Sequence, residues 1–252
     1  MLPKFTRKTL LALALAPLAL GLAACSKTEE AKSGLSGEVV AKVAAPAGKV
    51  WSDVVSVTES GGYLIGNPQA PIKLAEYAAL SCSHCAEFSH QASAELRDTF
   101  IGSGRVSYEL NFFMLNFLDV PSTLLATCSA PEAVLPLADQ FWAWQGDMFQ
   151  NLQTTGQAQL EAASNLPPDQ RFAAIATLAG MDKFFAARGI AADQGKACLT
   201  NAAKATQLVT NTEKAGKELG ITGTPTFFLN GNKVDANTWA EVKAELEKAG
   251  AR

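Results

Sequence analysis

The sequence predicts an α/β protein, a sheet with helices on both faces, interrupted by a helical insertion over about residues 120–220. Three observations predict it. An apolar run at 72–79, broken only by Lys73 and Glu76, leads straight into Phe88, Ala92, Leu96 and Phe100 at helical spacing, and a second strand pattern starts at Arg105. That order is a parallel strand–helix–strand unit. From Pro121 to about Gly220 no strand pattern is present, and helical stretches are separated by Pro131, Pro136, Gly156, Pro167-Pro168, Gly180 and Gly189. Strand signal then returns at 225–229, and Asn230-Gly231 turns it into an antiparallel hairpin with 232–234.

The elements follow in order. Residues 54–58 alternate like a short strand that ends at Gly61-Gly62, and Asn67-Pro68 with Ala70-Pro71 punctuate a loop. The helix after the 72–79 strand is stopped by Gly102 and Gly104, and 105–114 places Val106, Tyr108, Leu110 and Phe112 on one strand face. Trp142, Trp144, Met148, Phe149, Phe172, Phe184 and Phe185 supply bulk for the helical insertion. Trp239, Val242 and Leu246 mark a closing amphipathic helix, with Asn237 as its expected N-cap. No internal repeat is visible.

Composition bounds the function. With 48% hydrophobic and 18% charged residues the chain is globular, and a formal net charge of −3 offers no basic stripe, so no nucleic-acid partner is expected. Two histidines, His84 and His90, exclude a three-imidazole metal site. The N-terminus reads as an address: Lys4, Arg7 and Lys8 precede a Leu/Ala run over 10–24, too short to span a bilayer comfortably. Residues 1–24 are therefore expected to be a signal peptide, against the alternative of an uncleaved anchor helix. Leu22-Ala23-Ala24-Cys25 resembles a bacterial lipobox, which implies lipidation of Cys25, a membrane-attached domain facing the periplasm and, with Ser26 following, sorting to the outer membrane. Removing 1–24 takes three of the 21 basic residues, leaving 18 against 24 acidic, a net −6 with no polybasic patch. Residues 25–53 are expected to be a flexible tether and 54–252 the folded domain.

The chemistry lies in the cysteines. Cys82-Ser83-His84-Cys85 stands where strand gives way to helix. A sulfur there meets unpaired backbone N–H groups and the positive end of the helix dipole, which favour the thiolate, the nucleophile of disulfide exchange. The two-residue spacer lets the second sulfur close a ring or release a mixed disulfide. His84 adds a potentially cationic group beside the first sulfur. The competing reading is half of a structural zinc site, but Cys128 and Cys198 are lone cysteines in the helical block, and an exported compartment favours disulfides, so no metal is expected. For Cys128 and Cys198 a structural disulfide is expected, against two buried free thiols or a redox relay.

Cys82-Ser83-His84-Cys85, the strand before it, the helical insertion and Gly223-Thr224-Pro225-Thr226-Phe227 together resemble the DsbA-like thiol–disulfide oxidoreductases of the thioredoxin superfamily, from about Val54 to the C-terminus. The resemblance implies a thioredoxin-like fold in which Cys82 is the exposed attacking sulfur and Cys85 the buried resolving one. It implies a cis bond at Thr224-Pro225 facing them, with backbone able to pair with an extended substrate. It also implies that Glu76 is a buried acid that ferries the proton of Cys85, although strand parity alone leaves a solvated edge residue open. Threonine before the proline is similar to isomerase-type relatives.

These readings lead to an envelope enzyme that oxidises dithiols in exported proteins, needs no organic cofactor, is reset by a redox partner and acts as a monomer. The alternatives are an isomerase or reductase held in the dithiol state, and a lipoprotein that binds soft metal or peptide without redox chemistry.

Overall fold

The computed structural model describes residues 37–252. The signal-type segment 1–24 and the lipobox Cys25 lie outside the described residues.

Six strands form one sheet: β1 (Val55–Val57), β2 (Tyr63–Gly66), β3 (Ile72–Ala78), β4 (Val106–Phe112), β5 (Thr226–Leu229) and β6 (Asn232–Val234), in spatial order β1-β2-β4-β3-β5-β6. Only β3 and β4 pair in parallel, from Ile72↔Val106 to Ala78↔Phe112, and the helix α1 (Ser83–Glu95) connects them. The same rod of chain continues as a π-helical turn over Leu96–Ile101 before the stop at Gly102. The other pairs are antiparallel, and the β5–β6 turn carries φ of 51° at Asn230 and 81° at Gly231, the left-handed pair that a two-residue hairpin requires.

Alternation along β3 divides the core. Ile72, Leu74, Glu76 and Ala78 are buried on one face, while Lys73 is exposed and Ala75 and Tyr77 are partly covered on the other. On the first face α1 meets the sheet through Phe88, whose ring centroid lies 4.6 Å from Phe227 and 6.2 Å from Trp239 of the last helix, α9 (Trp239–Lys248). Truncating a ring as enclosed as Phe227, at 0% exposure, costs about 3–5 kcal/mol. On the second face Phe113, Phe228 and Ile221 pack with Ala215 of α8 (Ala202–Leu219). Helices therefore cover both faces.

The insertion between β4 and β5 is helical throughout: α2 (Asp119–Ala126), α3 (Val134–Thr155), α4 (Gln157–Ser164), α5 (Pro168–Leu178), α6 (Met181–Ala186), α7 (Ala192–Leu199) and α8. Phe141, Trp144, Phe184 and Phe185 form its aromatic centre. Cys128, just past α2, is disulfide-bonded to Cys198 in α7 across 70 positions, with Cα atoms 5.9 Å apart. In the chain-entropy picture a loop of that length stabilises by about 4 kcal/mol.

The first strand ends at the Gly61-Gly62 turn as expected, but the chain returns from it as a second strand that sequence reading missed, β2, which pairs with both β1 and β4. Two expectations are corrected. The cap of α9 is Thr238 rather than Asn237: its side chain accepts from the Glu241 N–H while the Glu241 carboxylate accepts from the Thr238 N–H, a capping box. The flexible tether does not extend to 53. Gly37 N–H donates to Lys248 O at 2.9 Å, Val40 N–H to Gly250 O at 2.9 Å, Val43 N–H to Ser103 O at 2.9 Å and Trp51 Nε1–H to Val43 O at 2.7 Å. Residues 37–53 thus form a strap that buries Trp51 and ties the chain to the C-terminus, where the Arg105 guanidinium also donates to Arg252 O.

Candidate active site

The turn from β3 into α1 sets out the two sulfurs. Cys82 is the N-cap of α1, with extended φ of −82° and ψ of 120°, and its Sγ accepts from the Cys85 N–H at 3.3 Å. A sulfur thus fills the role that a serine or aspartate oxygen fills at other helix starts. Cys82 and Cys85 are free thiols, and the Cys82 S–H donates to Thr224 O at 3.2 Å. The Thr224-Pro225 bond is cis, as expected.

The two thiols are driven apart in acidity. The side chain of Cys85 hydrogen-bonds the Cys82 sulfur and brings its pKa down to about 6 against the opposing effect of burial; Thr224 and the backbone N–H groups of Cys85 and His84 lower it further. The Thr224 Oγ1 is buried without another partner, so its O–H is free to turn toward a thiolate. Cys85 is pushed well above the usual thiol range, first by burial, then by its bond to Cys82 and by the nearby Glu76 carboxylate.

Glu76 lies beneath this pair, on the sheet face that α1 covers. It is 1% exposed, and the register of β3 places it opposite Leu110 and Phe227. Tyr108 donates its O–H to Glu76 Oε2 at 2.6 Å, whereas Oε1 has no partner. Burial pushes the Glu76 pKa up to about 8 against the Tyr108 bond, and the charges of Asp139 and Cys82 add to the rise.

The insertion holds the turn that carries the thiols. Trp142 Nε1–H of α3 donates to Ala79 O at 3.0 Å, and Gln145 Nε2 donates to Leu80 O at 2.7 Å and Cys82 O at 3.1 Å. From α2, Asp119 accepts from Ser81 N–H at 2.9 Å and Ser81 O–H at 3.0 Å, and also from the Leu115 and Asn116 N–H groups. Asn116 in turn donates to Ser81 Oγ at 2.7 Å. Carbonyls and amides that a tight turn would leave unsatisfied are thereby paired. Sequence reading missed Asp119, Gln145, Tyr108 and Asn116, and took Trp142 only as bulk. Nothing local marks them, since each has its partner in β3 or in the turn after it, at least 30 positions away.

Residues 58–248 match the family model described as thioredoxin. The chain belongs to the thioredoxin family. Among solved structures, a protein-disulfide isomerase from Novosphingobium aromaticivorans is 27% identical, with a TM-score of 0.70 over 73% of this chain and 94% of that one. Wolbachia pipientis alpha-DsbA1 shares the fold at 19% identity and a TM-score of 0.56, over 77% of this chain and 94% of its own. Curated relatives named protein-disulfide oxidoreductase, from Rickettsia prowazekii and Rickettsia bellii, are 22% and 23% identical over 194 and 186 residues, 74% of this chain in each case. The chain spans 60% and 63% of the length of those two relatives. The expected thioredoxin-like fold with a helical insertion is therefore the fold of the chain.

Within this thioredoxin-family frame Cys82, Cys85, Glu76, Thr224 and Pro225 converge. One expectation needs correction: Cys82 is not an exposed sulfur but 7% exposed, because the Thr224-Pro225 segment folds over it and takes its S–H; Cys85 is at 0%. The side chains of His84 and His90 are both exposed, and His84 reaches Cys82 through its backbone N–H. Cys128 and Cys198 stand apart from the thiol site, bonded to each other. Among the described residues no group of three or more His, Cys, Asp or Glu side chains could hold a metal ion.

Proposed function

We propose that this thioredoxin-family protein is an envelope thiol–disulfide oxidoreductase that exchanges disulfides with exported proteins through Cys82-Ser83-His84-Cys85, in the direction of dithiol oxidation. The observation that carries this reading is the split between two sulfurs three residues apart, one held near 6 and the other raised. In the cycle a substrate thiolate attacks Sγ of Cys82 in the Cys82–Cys85 disulfide. The S–S bond breaks, its electron pair goes to Cys85, and a Cys82–substrate mixed disulfide forms. Neutral Glu76 gives its proton to the nascent Cys85 thiolate, whose raised pKa makes it the stronger base. A second substrate thiolate then attacks the substrate sulfur and expels Cys82 as a thiolate. Two electrons have moved from substrate to enzyme.

Cys82 is the better leaving group because its anion is stabilised, and the same stabilisation of the reduced form makes the disulfide oxidising. His84, as a cation at the helix start, would add to that. The backbone at Thr224-Pro225 offers a short edge to an extended substrate segment. A membrane or soluble redox partner resets the dithiol. Lipidation of Cys25 would attach the domain to a membrane with its folded part in the periplasm.

A second direction, isomerase or reductase, is favoured by Thr224 before the proline and by the likeness to the Novosphingobium protein-disulfide isomerase. The equilibrium reduction potential against glutathione separates the two. An oxidase is expected above about −180 mV; a value near −270 mV, typical of thioredoxin, overturns the oxidative direction.

A further inference from the structure

A cavity of about 250 Å³ opens between α8, the sheet and the Ser60-Gly61 turn, and none of its lining residues belongs to the thiol site. Tyr77 of β3 and Asn111 of β4, opposite each other in the parallel register, lie on the sheet face that α8 covers. Tyr63 and Phe112, edge to face with ring centroids 6.1 Å apart, and Leu208 of α8 give the cavity apolar walls. Two polar groups in it lack partners. Asn111 is 6% exposed, yet its side-chain amide makes no hydrogen bond among the described residues. Gly62 stands beside that amide without a side chain, and a Cβ there would strike Asn111 Oδ1. Lys204, in the first turn of α8, is half-buried and belongs to none of the salt bridges among the described residues. Burial alone lowers its pKa from the ordinary lysine value, with no carboxylate opposing the shift. An ammonium withdrawn from water without a counter-charge costs free energy, and an anion entering the cavity offsets that cost. Lys214, Glu59 and Glu218 also border the cavity but are exposed.

We propose that this cavity is a binding site for a small organic monocarboxylate with a flat apolar body, its carboxylate met by Lys204 and the Asn111 amide and its body lying against Tyr63, Tyr77 and Phe112. One enclosed ammonium matches one negative charge, whereas a phosphate dianion would leave charge unmatched. An amide N–H donates to the second carboxylate oxygen, which satisfies the one buried polar side chain of the cavity that has no partner in the protein. The volume lies below the roughly 300–1,000 Å³ of drug-sized pockets, which suits a free acid rather than the end of a chain. A net charge of −3 gives the molecule no general attraction for anions, so affinity has to come from these two groups. The inference does not rest on the exchange cycle, because no residue of the thiol site takes part in it.

The test is an amide NMR titration of the protein with benzoate as the probe. Benzamide, inorganic phosphate and the peptide acetyl-Gly-Gly-Phe are run as parallel arms. Benzoate is expected to give saturable shifts of the Asn111 side-chain amide and of the Gly61 and Gly62 backbone amides. Benzamide has the same shape without the charge, and it is expected to bind about tenfold more weakly or worse. Phosphate and the peptide are expected to bind more weakly than benzoate. Lys204→Met should weaken benzoate by about tenfold or more, and Lys214→Met, at the exposed rim, by less than about twofold. The first measurement needs no variant to fold. The absence of saturable shifts at these amides, or benzamide or phosphate binding as tightly as benzoate, overturns the site. Equal losses in the two lysine variants do the same, since they reveal only diffuse attraction to surface charge. Tighter binding of the peptide than of benzoate overturns the free acid as the ligand.

Discussion

The molecule carries two cysteine pairs with opposite fates. Cys82 and Cys85 share the first turn of one helix, with a backbone N–H donating to the first sulfur, a carbonyl accepting a hydrogen bond from its S–H and a buried acid beneath the second. Cys128 and Cys198 lie 70 positions apart, one just past α2 and the other in α7, and are bonded to each other. One pair is surrounded by groups that separate its two acidities, while the other closes a loop. Sulfur chemistry here is decided by what the backbone aims at the sulfur, not by the residue type.

The largest effect that could break this contrast is on activity. Cys82→Ser is expected to reduce disulfide exchange, followed by insulin reduction, to the uncatalysed background, whereas Cys128→Ala with Cys198→Ala leaves the rate within a few-fold of the parent because neither sulfur faces the site. Activity surviving in Cys82→Ser would sink the assignment of roles. The next effect is on stability and falls on the other pair. The double alanine variant should lose about 4 kcal/mol in urea unfolding, and an unchanged midpoint would mean that the insertion holds without its bond.

The smallest effect sharpens the comparison through pH. Cys82 is lowered from 9 to about 6 in the folded dithiol, so the stabilisation it brings is present above 9 and fades as pH falls through 6. Glu76 is raised from 4.5 to about 8, so its contribution is full below 4.5 and is lost as pH rises through 8. In the reduced protein the two slopes oppose each other between 6 and 8; in the oxidised protein only the Glu76 slope remains. Urea unfolding of both forms at several pH values should therefore show the reduced form gaining on the oxidised one between pH 6 and 9. A constant difference would deny Cys82 its ionised state.

What could be read in advance was local. A Cys-x-x-Cys at a strand-to-helix junction and an Asn-Gly between apolar runs each carry their geometry within a few residues and are found where expected, whereas the cis bond at Thr224-Pro225 came from the family resemblance. β2 was missed because a four-residue strand ending on Gly66 gives too little alternation to read. The strap was missed because its partners, Ser103 and 248–252, are far off in sequence, while its own Ala, Lys and Gly content reads as coil. The burial of Glu76 depended on strand parity, which the apolar run could not fix until the β3–β4 and β3–β5 registers were known. The clamp from Asp119, Trp142 and Gln145 is a tertiary arrangement with no periodic trace.

The strap of residues 37–53 also fixes an orientation. It grips the start of β4 and the C-terminal residues, whereas the thiols follow the far end of β3, which runs alongside β4 in the same direction. Gly37, the first of the described residues, therefore lies toward the end of the sheet away from Cys82. The end of the sheet that carries the thiol pair is thus left clear of the strap, and Cys82 is covered there only by the Thr224-Pro225 segment.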